Sequence, residues 1–159
     1  MTDSGSDTGA IEWRLDLPGE TDTVALGRKL GERLVSDYGG SALVFLRGEL
    51  GAGKTTLVRG LLSAIGHSGV VKSPTYTLLE PYSYGGQDAY HFDLYRINDP
   101  AELAFVGFDE IIDGPGLKLI EWPERATEWL PRAQVDVRLE LSECANGRKV
   151  TVLFDDRDD

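Results

Sequence analysis

The chain has 159 residues, 41% of them hydrophobic, which fits one domain of ordinary size with a buried core. Its 16 Lys and Arg against 27 Asp and Glu leave a net charge of −11, which excludes a stand-alone nucleic-acid binder, because phosphate contacts need clustered cations; a nucleic-acid role would pass through a partner. The single cysteine, Cys144, excludes an intramolecular disulfide and is expected as a semi-buried small side chain near a strand end; with no basic, apolar leader and no bilayer-length apolar run, a cytoplasmic protein without membrane contact is expected.

Residues 1–10 are rich in Ser, Gly, Asp and Thr and are read as a flexible tail, residues 155–159 as an acidic tail, and residues 11–154 as one domain. Ile11–Leu17 alternates apolar and polar residues, predicting a strand. From Thr21 to Tyr38, Val24, Leu26, Leu30, Leu34 and Val35 stand near helical spacing, with Thr21 or Thr23 as candidate caps and Gly39-Gly40 as a stop. Ala42–Leu46 is a short continuous apolar run, as in a buried parallel strand. A glycine-rich turn follows, then a predicted helix over Lys54–Ile65. Thr77–Tyr84 and Ala89–Leu94 read as a hairpin around Gly85-Gly86, and Pro100–Val106 as a short helix. Leu117–Glu121 is another buried strand, while Val135–Leu141 and Lys149–Phe154 pair around Asn146-Gly147. Alternating elements in the middle and strand pairs toward the ends predict an α/β fold whose mixed sheet has a parallel centre and antiparallel flanking strands.

Gly48-Glu49-Leu50-Gly51-Ala52-Gly53-Lys54-Thr55 satisfies G-x-x-x-x-G-K-[ST] in full, between a buried strand and a helix. Such a loop turns its backbone N–H groups inward around phosphate, and the following helix adds roughly half a positive charge at its N-terminus. The motif predicts ATP or another nucleoside triphosphate with Mg²⁺, held by Gly51, Ala52 and Gly53, by Lys54 at the β- and γ-phosphates, by the Thr55 hydroxyl at the metal, and by Thr56 at the α-phosphate. The fold expected around it is the three-layer one of P-loop NTPases.

A loop of this kind needs an acidic partner at a strand end. Asp93 and Glu121 both qualify, each ending an apolar run. Asp113-Gly114-Pro115-Gly116 imitates the D-x-x-G of a GTPase switch but follows no clear buried strand, and no N-K-x-D is present, so it is read as a turn. Ser73-Pro74-Thr75-Tyr76-Thr77 is either a capped turn or a switch loop in which Ser73 or Thr75 senses the γ-phosphate.

Four blocks in order, Gly48–Thr56 (GELGAGKTT), Lys72–Pro81 (KSPTYTLLEP), His91–Arg96 (HFDLYR) and Ile120–Pro123 (IEWP), resemble the TsaE (YjeE) family over about Leu17 to Leu141. The resemblance implies a P-loop ATPase for the threonylcarbamoyladenosine modification of tRNA, weak alone, supporting turnover by the TsaB and TsaD proteins and meeting tRNA only through them. It implies catalytic roles for Lys54, Asp93 and Glu121, with Glu121 the first choice as acidic Mg²⁺ partner and Asp93 the second. Trp122 is read either as packing beside the nucleotide or as a core residue. By the same resemblance Glu20 and Thr21 stand near the adenine, and the turn Asn146–Arg148 approaches the nucleotide. Two other classes remain: a nucleotide-dependent assembly module with little hydrolysis, and a small-molecule kinase, which would need an arginine-lined acceptor site that the scattered arginines do not suggest.

Overall fold

The structure, a computed structural model, describes residues 2–5, 10–72, 74, 77–143 and 147–155. Its strands are β1 (Thr2–Gly5), β2 (Ala10–Leu17), β3 (Ala42–Arg47), β4 (Leu79–Tyr84), β5 (Gln87–Asp93), β6 (Leu117–Glu121), β7 (Val135–Leu141) and β8 (Arg148–Asp155). They form one sheet in the order β1-β2-β8-β7-β3-β6-β5-β4. The four central strands β7, β3, β6 and β5 run parallel, and every pairing outside them is antiparallel. This is the expected mixed sheet. All five residues of β6 are buried, as are the first five of β3, because layers cover both faces there. The flank differs: β8 alternates buried with more exposed positions. Thr2–Gly5, within the segment read from sequence as a flexible tail, pairs with β2 from Thr2↔Arg14 to Gly5↔Ile11.

Helices α1 (Glu20–Tyr38) and α2 (Lys54–Ser63) cover one face over a core that includes Leu30, Leu57, Val44, Leu119 and Val152. On the other face lie α3 (Phe108–Asp113) and two 3₁₀ helices, Pro100–Val106 and Pro123–Trp129, over Phe45, Phe92, Leu103 and Ile120. The result is three layers with the sheet in the middle. Among the described residues no helix is long and apolar enough to cross a membrane.

Several local readings change. The cap of α1 is Gly19, not Thr21 or Thr23: Asp22 reaches back to accept the Gly19 N–H at 3.1 Å, so the helix begins one residue before Thr21. Its end is as expected, with Gly39 and Gly40 at φ 65° and 81° and the Gly40 N–H closing onto Leu34 O at 3.1 Å. Leu78 sits at φ 70° and donates to Pro74 O, which delays β4 to Leu79. Asp113 ends α3, a helix whose six residues are too few to show a period. The hairpin turn at Asn146 and Cys144 lie outside the described residues.

Glycines decide how α1 meets α2. A Cβ on Gly27 would stand 2.2 Å from Leu57 O, and one on Gly60 2.1 Å from Val24 O. The two helices therefore touch backbone to backbone, and any side chain at either position must push them apart. Gly60→Ala is expected to lower unfolding stability by about 1–3 kcal/mol, the usual penalty for overpacking. Urea denaturation checks it; an unchanged midpoint would mean that the contact yields freely.

Candidate functional site

Three parallel strands end at one edge of the sheet. β3 releases the chain after Arg47 into the glycine-rich loop, and β6 and β5 end on Glu121 and Asp93, which are register partners, with Leu46 of β3 opposite Glu121. Register alone thus sets both carboxylates beside the loop. The antiparallel strand β8 starts at the same edge, which brings Arg148 there too. Gly48, Gly51 and Gly53 have φ of 153°, 82° and 105°, the left-handed region the turn requires. Gly53 caps α2, and the first turn of that helix carries no acidic residue, so its unpaired N–H groups are left for an anion.

Lys54 is buried at 5% exposure. Its ammonium donates to Gly48 O, and to Glu49 O at 3.4 Å, and lies 4.4 Å from the Trp122 ring centroid. Burial pushes its pKa below the ordinary lysine value, while the charges of Glu121 and then Asp93 pull it back up. The two buried acids therefore offset part of the cost of burying the cation. Asp93 accepts the Tyr95 N–H at 2.9 Å, and Glu121 takes the ring Nε2 of fully buried His91 at 2.6 Å. Trp122 is strained at φ 59° and packs its ring 4.9 Å from Tyr95. It is neither simply core nor simply surface: it backs onto Lys54.

A cavity of about 290 Å³ opens between the loop, Lys54, Thr55, Thr56, Asp93, Glu121 and Arg148. A second, about 340 Å³, shares Gly53, Thr56 and Arg148 with it and is walled by Pro18, Gly19, Glu20 and Thr23. Glu20 is exposed at the mouth, paired with Arg59 at 2.7 Å. Among the described residues no group of three His, Cys, Asp or Glu side chains could hold a metal unaided. Thr55, Glu121 and Asp93 offer oxygen donors only, a set that suits Mg²⁺ when phosphate oxygens complete the shell.

The structure brings Gly51, Gly53, Lys54, Thr55, Thr56, Asp93 and Glu121 around one cavity, with Trp122 behind Lys54 and Glu20 at the adjoining cavity, while Ala52 turns to the other side of the loop beside Gly48 and Glu49, and exposed Thr21 lines neither cavity. Ser73 and Thr75 lie outside the described residues. Asp113–Gly116 precedes β6 and so lies at the opposite end of that strand from Glu121, remote from the loop. Two further residues contribute: Arg148, from the turn Asn146–Arg148 already expected near the nucleotide, and His91, which carried little signal. His91 is two residues before Asp93 on the same strand face, which alternation could have marked. Arg148 is distant in sequence, yet donates to Ala52 O at 2.8 Å and Gly51 O at 3.1 Å, latching the loop.

Comparison with known proteins agrees with this architecture. Residues 17–150 match the family described as threonylcarbamoyl adenosine biosynthesis protein TsaE. The chain is 46% identical over 125 residues to the tRNA threonylcarbamoyladenosine biosynthesis protein TsaE of Haemophilus influenzae, covering 78% of this chain and 79% of that one. It is 36% identical over 127 residues to the Bacillus subtilis protein of the same description, covering 80% and 75%. The crystal structure of Bacillus subtilis YdiB superposes with a TM-score of 0.74 at 24% identity, over 92% of this chain and 87% of that one, and shares the fold.

Removing the latch should free the loop without unfolding the domain. Hydrogen bonds from a charged donor contribute about 1.5–3 kcal/mol, so Arg148→Ala is expected to speed amide exchange at Leu50–Gly53 by about tenfold or more. Hydrogen-exchange mass spectrometry reads this directly; unaltered exchange there would remove Arg148 as the latch.

Proposed function

This chain belongs to the TsaE family, and on that premise we propose that it binds and hydrolyses ATP in support of tRNA threonylcarbamoyladenosine biosynthesis. One observation carries the reading: the α2 N-terminus, buried Lys54 and the register-paired carboxylates Asp93 and Glu121 converge on a single cavity. We take residues 11–154 as the single ATPase domain.

Loop N–H groups and Lys54 hold the β- and γ-phosphates, with Thr56 at the α-phosphate. Thr55 and Glu121 would hold Mg²⁺, with Asp93 beside them; when bound, the ion neutralises charge on the phosphate oxygens. Water attacks the γ-phosphorus in line, the bond to the bridging oxygen breaks, ADP carries that oxygen away, and the water's proton passes to the released phosphate. Lys54 and the loop amides stabilise the charge that develops. The adenosine lies toward Glu20 and Arg148, where the second cavity has room and is walled by Thr23, not Thr21.

Among the described residues lining the first cavity the cations are Lys54 and Arg148, and Arg148 is held to backbone carbonyls of the loop and hairpin. Each of the three guanidinium nitrogens of Arg148 donates to a backbone carbonyl, of Gly51, Ala52 or Gly147. Slow intrinsic turnover follows, raised when TsaB and TsaD bind. The net charge of −11 supports contact with tRNA only through those partners.

Phosphate-release assays test this. The chain alone should hydrolyse ATP slowly, stop in EDTA, and accelerate with TsaB and TsaD, by up to about 10³–10⁵ if a partner supplies the missing cation. Lys54→Ala should lose triphosphate binding by tenfold or more, as about 1.5–3 kcal/mol of charged hydrogen bonding is removed. Nucleotide-dependent association without hydrolysis would favour an assembly module, and full Mg²⁺-dependent hydrolysis by Glu121→Ala would overturn that assignment.

A further inference from the structure

We propose that His91 is the positioning residue for Glu121: it holds one carboxylate oxygen so that the other is presented to the metal and phosphate side of the cavity. The inference rests on the assignment of Glu121 to the metal. Because the carboxylate oxygen accepts, Nε2 carries the hydrogen, and the 2.6 Å bond ties Oε2 of Glu121 to the ring.

The geometry separates this role from strand pairing. In register, His91 faces Leu119, and Glu121 faces Asp93. His91 therefore leans along the sheet, past its own partner, to reach the strand-end carboxylate two residues on. Both groups are buried, at 0% and 3% exposure. Burying two such groups costs more desolvation than an apolar pair would, and the β5–β6 ladder already joins the strands. What the contact contributes is direction. A glutamate has three side-chain torsions, and Lys54 stands close enough to make Glu121 its largest favourable charge. Without an anchor the carboxylate would turn to the ammonium and leave the metal position. Partners that orient a ligating carboxylate in this way typically change metal affinity or activity by about 10–100-fold when removed.

The test is a Mg²⁺ titration of ADP binding to the full chain, followed by calorimetry, beside steady-state hydrolysis. His91→Phe should raise the Mg²⁺ concentration at half-effect, and lower kcat, by about tenfold or more. ADP affinity in EDTA and the far-UV circular dichroism should stay as in the wild type. His91→Gln keeps a donor of similar reach and should recover most of the loss. If His91→Phe does not fold, His91→Met removes the donor with a more adaptable side chain. A wild-type Mg²⁺ requirement in a folded donor-less variant overturns the proposal, as does equal loss in His91→Gln. Glu121→Gln distinguishes the two levels. Should it too keep the wild-type Mg²⁺ requirement, the metal assignment itself fails; should it alter the requirement while His91→Phe does not, only the role of His91 fails. Adding His91→Phe to Glu121→Gln should bring no further loss, since the two act through one carboxylate.

Discussion

The approach of α1 to α2 without side chains between them governs the rest of the molecule. Gly27 and Gly60 each face a carbonyl of the other helix, so the spacing is set by backbone atoms and has little room to drift. α2 is thereby held on the sheet with its N-terminus at the ends of β3, β6 and β5. α1 is carried with it, and its first turn comes to stand beside Gly53 and Thr56. The Glu20–Arg59 ion pair joins the two helices at that end, although an exposed pair contributes little by itself. One steric relation thus places both the cavity at Lys54 and its neighbour.

Within this frame the charges are mutually dependent. Lys54 is buried, which disfavours its charge, and Glu121 and Asp93, buried beside it, offset part of that cost. Trp122 closes the back of the lysine, held at a positive φ by the turn that follows β6. The backbone continues the sheet into that turn: Leu94 N–H reaches Glu121 O at 3.1 Å and Trp122 N–H reaches Leu46 O at 3.4 Å. The carboxylates therefore stand on rigid strand ends, while Arg148 steadies the loop from the flanking hairpin. The cavity is thus bounded by rigid strand ends on one side and a latched loop on the other.

Much of this was legible in the chain itself. The loop from Gly48 to Thr55 announces its turn, its helix and its anion, because each residue type has a local physical reason. Asp93 and Glu121 are marked by the apolar runs they end. Less was legible where the signal is not local. α3 is too short for a period to appear, and the strand start at Leu79 depends on the left-handed turn at Leu78. The cap of α1 shifted because Asp22, two residues inside the helix, supplies the bond that Thr21 or Thr23 could have made.

Sequence by itself determined the fold class, the glycine-rich strand-to-helix loop and the two candidate acids, since periodicity, glycine placement and strand-end carboxylates are properties of contiguous residues. It also carried the family, through motifs whose order and spacing survive in the chain. Only the tertiary structure decided that Asp93 and Glu121 are neighbours, because strand register joins residues 28 positions apart in sequence and no local pattern encodes it. The same holds for Arg148 on the loop and His91 on Glu121: each is a contact between elements, made when the sheet closes around its parallel centre.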